Sequence, residues 1–195
     1  MDQLVALVAF SAVSSGTPGP NNLLLWASGA EFGVRRTIPH VLGTAVGLGA
    51  MALGVAAGLG AAIIAIPTLA FSMKLAGSVY LLYLAWQVAG AHALSRASIA
   101  RPMSLIQAAA FQVINPKAWI FALGAITTFR PPELPILAGS LLVAAVMMVV
   151  IVPTAGLWAA AGGAIGRLLV DERRRRIVSL VLAVILALTV VSVWR

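Results

Sequence analysis

The polar residues of this 195-residue chain fall into short gaps between long apolar runs. With 62% hydrophobic and 9% charged residues, too little polar surface exists to cover a water-soluble domain of this size. Runs near or above ~20 apolar residues match the thickness of a bilayer's hydrocarbon core. The pattern predicts six membrane spans, at about residues 4–30, 38–66, 68–92, 104–129, 135–161 and 176–194. The fold class expected is all-α integral membrane, in one membrane domain. The opening Met1-Asp2-Gln3 lacks the positive region of a signal peptide, so the first apolar run reads as a retained helix.

Two proline-bearing polar breaks lie deep inside apolar runs: Thr17-Pro18-Gly19-Pro20-Asn21-Asn22 and Asn115-Pro116-Lys117. Backbone in contact with lipid must satisfy its own hydrogen bonds, so a break at that depth points to a polar cavity. Sliding the second half onto the first by 96 residues brings Pro20 onto Pro116, Ser28 onto Gly124 and Gly43 onto Gly139. Three spans per half is an odd number, so the halves enter the membrane from opposite sides. The expected plan is therefore two inverted three-helix repeats, about 4–92 and 104–194, with a site where the breaks meet.

At the breaks, either Thr17 caps a half-helix beginning at Pro18, or the helix begins at Gly19-Pro20. Asn115 caps another that begins at Pro116. Thr and Asn are good N-caps, and proline suits the first helical position because its missing N–H would be unpaired there anyway. Helix N-termini carry unpaired N–H groups and partial positive charge, which favour carboxylates. Lys117, about thirteen residues into its span, falls near mid-membrane at ~1.5 Å per residue. A lysine there is a candidate substrate ligand, or alternatively pairs with a carbonyl freed by the break. Asn21, Asn22, Gln112 and Asn115 can donate and accept around the same cavity, or bond between helices. No Asp or Glu falls deep in a span. The site is thus net positive and suits a carboxylate-bearing ligand rather than a metal cation, which would want carboxylates.

Nine of the thirteen Lys and Arg residues sit in three loops: Arg35 and Arg36; Arg96 and Arg101; Arg167 and Arg173 to Arg176. Those loops (31–37, 93–103 and 162–175) share one side, which the excess of positive charge assigns to the cytoplasm, leaving both termini outside. The net charge of +8 is therefore a topology signal and contact with lipid headgroups, not a nucleic-acid footprint. Zero cysteines exclude disulfides and thiol redox carriage. His40 and His92 fall at cytoplasmic helix ends, where a solvated His is the expected state and a role in proton coupling the alternative. With neither at depth and no carboxylate cluster, an intramembrane enzyme is not expected. Gly43, Gly47, Gly54 and Gly58 form two pairs at four-residue spacing and read as helix-packing positions. Tyr80, Tyr83 and Trp86 share a helix face that either packs or lines a substrate path.

Several of these segments together resemble the LysE/RhtB amino-acid exporter family. The resemblance rests on TPGPNN at 17–22, Gly33 to Thr37 followed by Gly43-x-x-x-Gly47, Lys74-Leu-Ala-Gly77 with Tyr80 to Trp86, and FQVINPKAW at 111–119. It covers about residues 4 to 130 and is weaker beyond. Asn21-Asn22 and the segment 35–37 look closest to the cysteine/O-acetylserine exporter branch. The resemblance implies a bacterial inner-membrane secondary transporter, driven by the proton-motive force, that exports small neutral amino acids or derivatives. It implies no cofactor, and as partners the substrate and the bilayer, with or without further copies of the chain. Many family members carry an Asp after the second-helix glycine; here Leu48 stands there, which disfavours export of lysine or arginine. The alternative reading is a channel or carrier for another small organic anion.

Overall fold

A computed structural model describes residues 2–90, 101–168 and 172–194. His92, Arg96, Asp171 and Arg195 lie outside the described residues, as does most of the loop 93–103. Among the described residues the chain forms nine helices and no strand. They are α1 (Asp2–Gly16), α2 (Pro20–Phe32), α3 (Val34–Ala56), α4 (Leu59–Ala65), α5 (Pro67–Gly90), α6 (Leu105–Ile114), α7 (Pro116–Phe129), α8 (Ile136–Leu168) and α9 (Glu172–Val193). Both polar breaks are real: α1 ends before Thr17, α2 starts at Pro20, and α6 and α7 part at Asn115.

By length and composition, α3 and α8 are each able to cross a membrane. The pair α6 and α7 qualifies jointly, but its axes bend by 81° at the break. Large apolar side chains such as Ile120, Val149, Leu157 and Trp86 lie exposed on the outer faces, as lipid contact requires.

Helix association in lipid draws on close packing rather than on the hydrophobic effect, so small residues decide where helices touch. α2 lies along α8, α3 lies between α8 and α6, and α5 pairs with α9. At the first contact, Cβ atoms built on Gly29, Gly162 and Gly166 would collide with the backbone carbonyls of Ala159, Trp26 and Ala30 respectively. At the second, Gly43 and Gly47 press on the carbonyls of Leu105 and Ala109 of α6. This is the packing role read for that pair. Gly54 and Gly58 differ: Gly54 faces Leu59 across the α3–α4 turn, and Gly58 makes that turn at φ 100°, where a side chain is strained. Spacing alone did not separate a turn glycine from a packing one.

Two apolar clusters result. One joins α1, α2, α3, α7 and α8 around Leu25, Ala52, Ala122 and Met147. The other joins α2, α5, α6 and α9 around Leu24, Leu81, Phe111 and Leu186. α2 contributes to both, so the polar start of α2 is held between them.

Gly162→Val should drive α2 and α8 apart and cost about 1–3 kcal/mol as overpacking does. Gly156→Ala, on the same helix with nothing near its Cβ, should be tolerated. Thermal unfolding of the two purified variants in detergent checks this contrast.

Candidate functional site

The first break leaves five carbonyls at the end of α1 without helical partners, and each finds a side-chain donor. Thr17 Oγ1 donates to Ser14 O (3.1 Å). Asn22 Nδ2 donates to Ser15 O (2.6 Å) and Thr17 O (2.8 Å). Trp158 Nε1, from α8, donates to Gly16 O (3.2 Å). Lys117 Nζ, from the other break, donates to Thr17 O (2.6 Å), Thr17 Oγ1 (2.8 Å) and Pro18 O (3.4 Å). The chain then extends at Gly19 (φ −176°), the N-cap of α2, with Pro20 at the first helical position and no side-chain cap. Of the two starts that the sequence left open, the structure takes Gly19-Pro20. Thr17 caps nothing, because its hydroxyl is turned back onto α1 and toward Lys117. Gly19 suits this spot: a Cβ there would sit 2.9 Å from Lys117 Cδ.

The second break follows the sequence expectation. Asn115 caps α7, its side chain accepting from Lys117 N (3.2 Å), with Pro116 at the first helical position. Trp119 Nε1 reaches back to Val113 O (2.8 Å), and Asn115 N donates to Gln112 O (3.1 Å).

The breaks meet across a buried amide network. Asn21 Oδ1 accepts from Gln112 Nε2 (2.9 Å) and Thr44 Oγ1 (3.2 Å), and Asn115 Nδ2 donates to Gln112 Oε1 (3.3 Å). These side chains border a cavity of about 30 Å³ together with Ser14, Ser15, Leu48 and Lys117. That is room for a water molecule, and far below the roughly 300 Å³ at which small-molecule pockets begin. The site is closed in this conformation. Lys117 is the one titratable group on its wall, so the wall is net positive. Leu48 places an aliphatic group on the same wall.

Of the residues picked from sequence, Gly19, Asn21, Asn22, Gln112, Asn115 and Lys117 line this one cavity. Thr17 and Pro18 join it through the oxygens held by Lys117. Pro20 and Pro116 set the helix starts and do not line it. Sequence reasoning missed Thr44, Ser14 and Ser15 as wall residues, and Trp158 and Thr154 as their supports; Thr154 Oγ1 donates to Ser15 Oγ (2.8 Å). A hydroxyl between Gly43 and Gly47, on the packed face of an apolar helix, was the available signal for Thr44. His40 corrects an expectation. It is 1% exposed rather than solvated at an interface, because α2 and α6 pack against α3 there. Among the described residues no group of three or more His, Asp or Glu is placed to hold a metal ion.

An all-helical membrane protein with paired helix breaks around a polar cavity has the build of a transporter. The family model for the LysE type translocators matches residues 12–193, and the chain belongs to that family. It is a transporter, not an enzyme. Among curated proteins it is similar to the cysteine/O-acetylserine efflux proteins of Escherichia coli strain K12 and Shigella flexneri, at 28% identity over 135 residues, 69% of this chain and 69% of each relative. The protein of that name from Escherichia coli O1:K1 is 27% identical over the same length. No solved structure matches the chain significantly.

Asn22→Ala removes the donor to Ser15 O and one of the donors to Thr17 O. A carbonyl left unpaired in a buried setting costs roughly 1–3 kcal/mol, and the variant's melting temperature in detergent should fall accordingly, whether or not substrate is present.

Proposed function

We propose that this chain exports small, neutral, carboxylate-bearing amino acids or their derivatives across the bacterial inner membrane, by secondary transport driven by the proton-motive force. The observation that carries the reading is the convergence of both helix breaks on one cavity whose only charge is Lys117. The similarity to cysteine/O-acetylserine efflux proteins supports the same substrate class. A substrate carboxylate would take the place of the Thr17 and Pro18 oxygens on the Lys117 ammonium. It would also meet the uncapped N-terminus of α2, whose N–H groups favour an anion. Asn21, Asn22, Gln112 and Asn115 would receive the amine and the polar side chain.

The architecture proposed is six spans in two inverted repeats: α1 with α2, α3 with α4, and α5; then α6 with α7, α8, and α9. Its support is the crossed pairing of elements. The broken span of each half packs on the second span of the other half (α1 and α2 on α8, α6 and α7 on α3), and the third spans, α5 and α9, pair together. Both halves also start a helix at the equivalent proline, Pro20 and Pro116. The halves would rock about the fixed site to expose it to each side in turn. The Arg-rich loops are placed in the cytoplasm and both termini outside.

The test is export from cells carrying this chain, Lys117→Ala, or empty vector, with amino acids and derivatives measured in the medium. The intact chain should raise one or two carboxylate-bearing metabolites, O-acetylserine or cysteine first among them. Lys117→Ala at equal expression should lower that export by about tenfold or more, the worth of one charge-assisted contact. Undiminished export by the variant would remove Lys117 from the site. Flux of another organic anion, indifferent to the proton gradient and without counterflow, would instead favour the channel reading.

A further inference from the structure

The four amides on the wall of the break cavity are not equally free to meet a ligand. Gln112 Nε2 donates to Ala108 O (3.0 Å) and Asn21 Oδ1 (2.9 Å), and its Oε1 accepts from Asn115 Nδ2 (3.3 Å). Asn115 spends its own oxygen on Lys117 N (3.2 Å). Both of these side chains are committed to holding the network. Asn21 and Asn22 are each committed at one end only. Asn21 Oδ1 holds Gln112 and Thr44, while its Nδ2 donates to nothing. Asn22 Nδ2 holds Ser15 O and Thr17 O, while its Oδ1 accepts from nothing. Among the described residues, the unpartnered side-chain atoms sealed from the surface are Ser11 Oγ and the His40 ring nitrogens. Asn21 Nδ2 and Asn22 Oδ1 are unpartnered without being sealed, and the space that both residues border is the break cavity.

Backbone partners fix which way each amide faces. Ala108 O can only accept, so the Gln112 nitrogen lies on that side, and Asn21 must present its oxygen to it. Ser15 O and Thr17 O can only accept, so Asn22 must present its nitrogen to them. None of these bonds is one of those from Lys117 that a substrate carboxylate would displace. The free N–H groups of Asn21 and the free oxygen of Asn22 therefore keep their directions when that ammonium changes partner.

An α-amino acid carries its carboxylate and ammonium on one carbon, so their receptors must be neighbours. Lys117 Nζ and Asn22 Nδ2 both bond Thr17 O, at 2.6 and 2.8 Å, which sets the Asn22 amide beside the Lys117 ammonium. Asn21 is turned elsewhere, toward Thr44 of α3 and Gln112 of α6. Much of the remaining wall is apolar, with Leu48, Phe121, Ile151 and Ala155. Resting on the exporter reading above, we propose that Asn21 determines specificity: with the carboxylate on Lys117 and the ammonium on Asn22 Oδ1, the Asn21 N–H groups donate to an oxygen of the substrate's side chain. The chain then selects amino acids whose side chain sets an acceptor oxygen in an apolar frame, as the acetyl ester of O-acetyl-L-serine does. Alkyl and thiol side chains leave the Asn21 donors buried and unpaired or weakly paired, which is what makes such a site discriminate.

L-norleucine has a side chain as long as that of O-acetyl-L-serine but without its oxygens. Equilibrium binding of the two to the purified full-length protein in nanodiscs tests the assignment, alongside their export from cells. The unaltered protein should bind O-acetyl-L-serine about tenfold more tightly than L-norleucine. Asn21→Asp keeps the oxygen that Gln112 and Thr44 hold and replaces the N–H groups with an acceptor. In that variant the preference should fall to about twofold or less. A change that only loosened the network would weaken both ligands alike, so the ratio is the readout. Equal binding of the two by the unaltered protein overturns the proposal, and so does a preference that survives Asn21→Asp. The comparison in the unaltered protein needs no variant and decides the matter of the acceptor oxygen even if Asn21→Asp does not fold. If the unaltered protein neither binds nor exports either amino acid, the exporter reading fails and the role of Asn21 fails with it. Export retained without any preference between the two removes the role of Asn21 alone.

Discussion

The fold turns on one requirement: away from water, each carbonyl freed by a helix break needs a donor. At the first break the donors come from four directions. Thr17 serves Ser14 from within the break, Asn22 serves Ser15 from α2, Trp158 serves Gly16 from α8, and Lys117 serves Thr17 and Pro18 from α7. A break that would otherwise be a weak point thus ties the two halves of the chain together. The charge that does most of this tying is also the charge on the cavity wall. Support and binding chemistry share one ammonium group.

Glycine determines how closely the remaining helices approach that knot. α2 meets α8 at Gly29, Gly162 and Gly166, and α3 meets α6 at Gly43 and Gly47, in each case backbone against backbone. Such contacts place Asn21 of α2, Thr44 of α3 and Gln112 of α6 within hydrogen-bonding reach of one another. They also leave one face of α3 covered as far down as His40. Bulkier residues at these crossings would separate the amides before they disturbed the apolar clusters, so the small-residue positions set the geometry of the break cavity without lining it.

What the sequence made legible was local. Proline after Asn115 announces a capped helix start, and the structure has it; an apolar run broken at Thr17 to Pro20 announces a break, and it is there. The convergence of Gly19, Asn21, Asn22, Gln112, Asn115 and Lys117 on one cavity was also readable, from the paired position of the breaks. The choice between Thr17 and Gly19 as the cap of α2 was not. It depends on Lys117, a hundred residues away in sequence, drawing the Thr17 oxygens out of capping range. His40 escaped for a related reason. Its place in the second turn of α3 says that it lies near a helix end, but its burial is imposed by α2 and α6, whose approach no periodicity in α3 encodes. Trp158 and Thr154 of α8 reach Gly16 and Ser15 across more than 130 residues, and nothing in an apolar helix marks them as donors.

The satisfied state of Lys117 bears on how a carrier at this site would work. An ammonium that met no acceptor in the closed state would bind a carboxylate very tightly and release it slowly, because leaving a buried charge unpaired is costly. Here the three N–H groups already face three oxygens. A carboxylate gains only the difference between its own bonds and those it displaces, so entry and exit stay close to balanced. The displaced oxygens belong to residues 17 and 18, at the joint between α1 and α2. Freeing them unpins that joint from α7, and the joint is where α1 and α2 must move relative to each other if the cavity is to widen from the volume of a water to that of an amino acid. On the proposed reading, the substrate's charge does not merely anchor it: by competing for one ammonium it loosens the contact that holds the site shut, and its departure restores that contact.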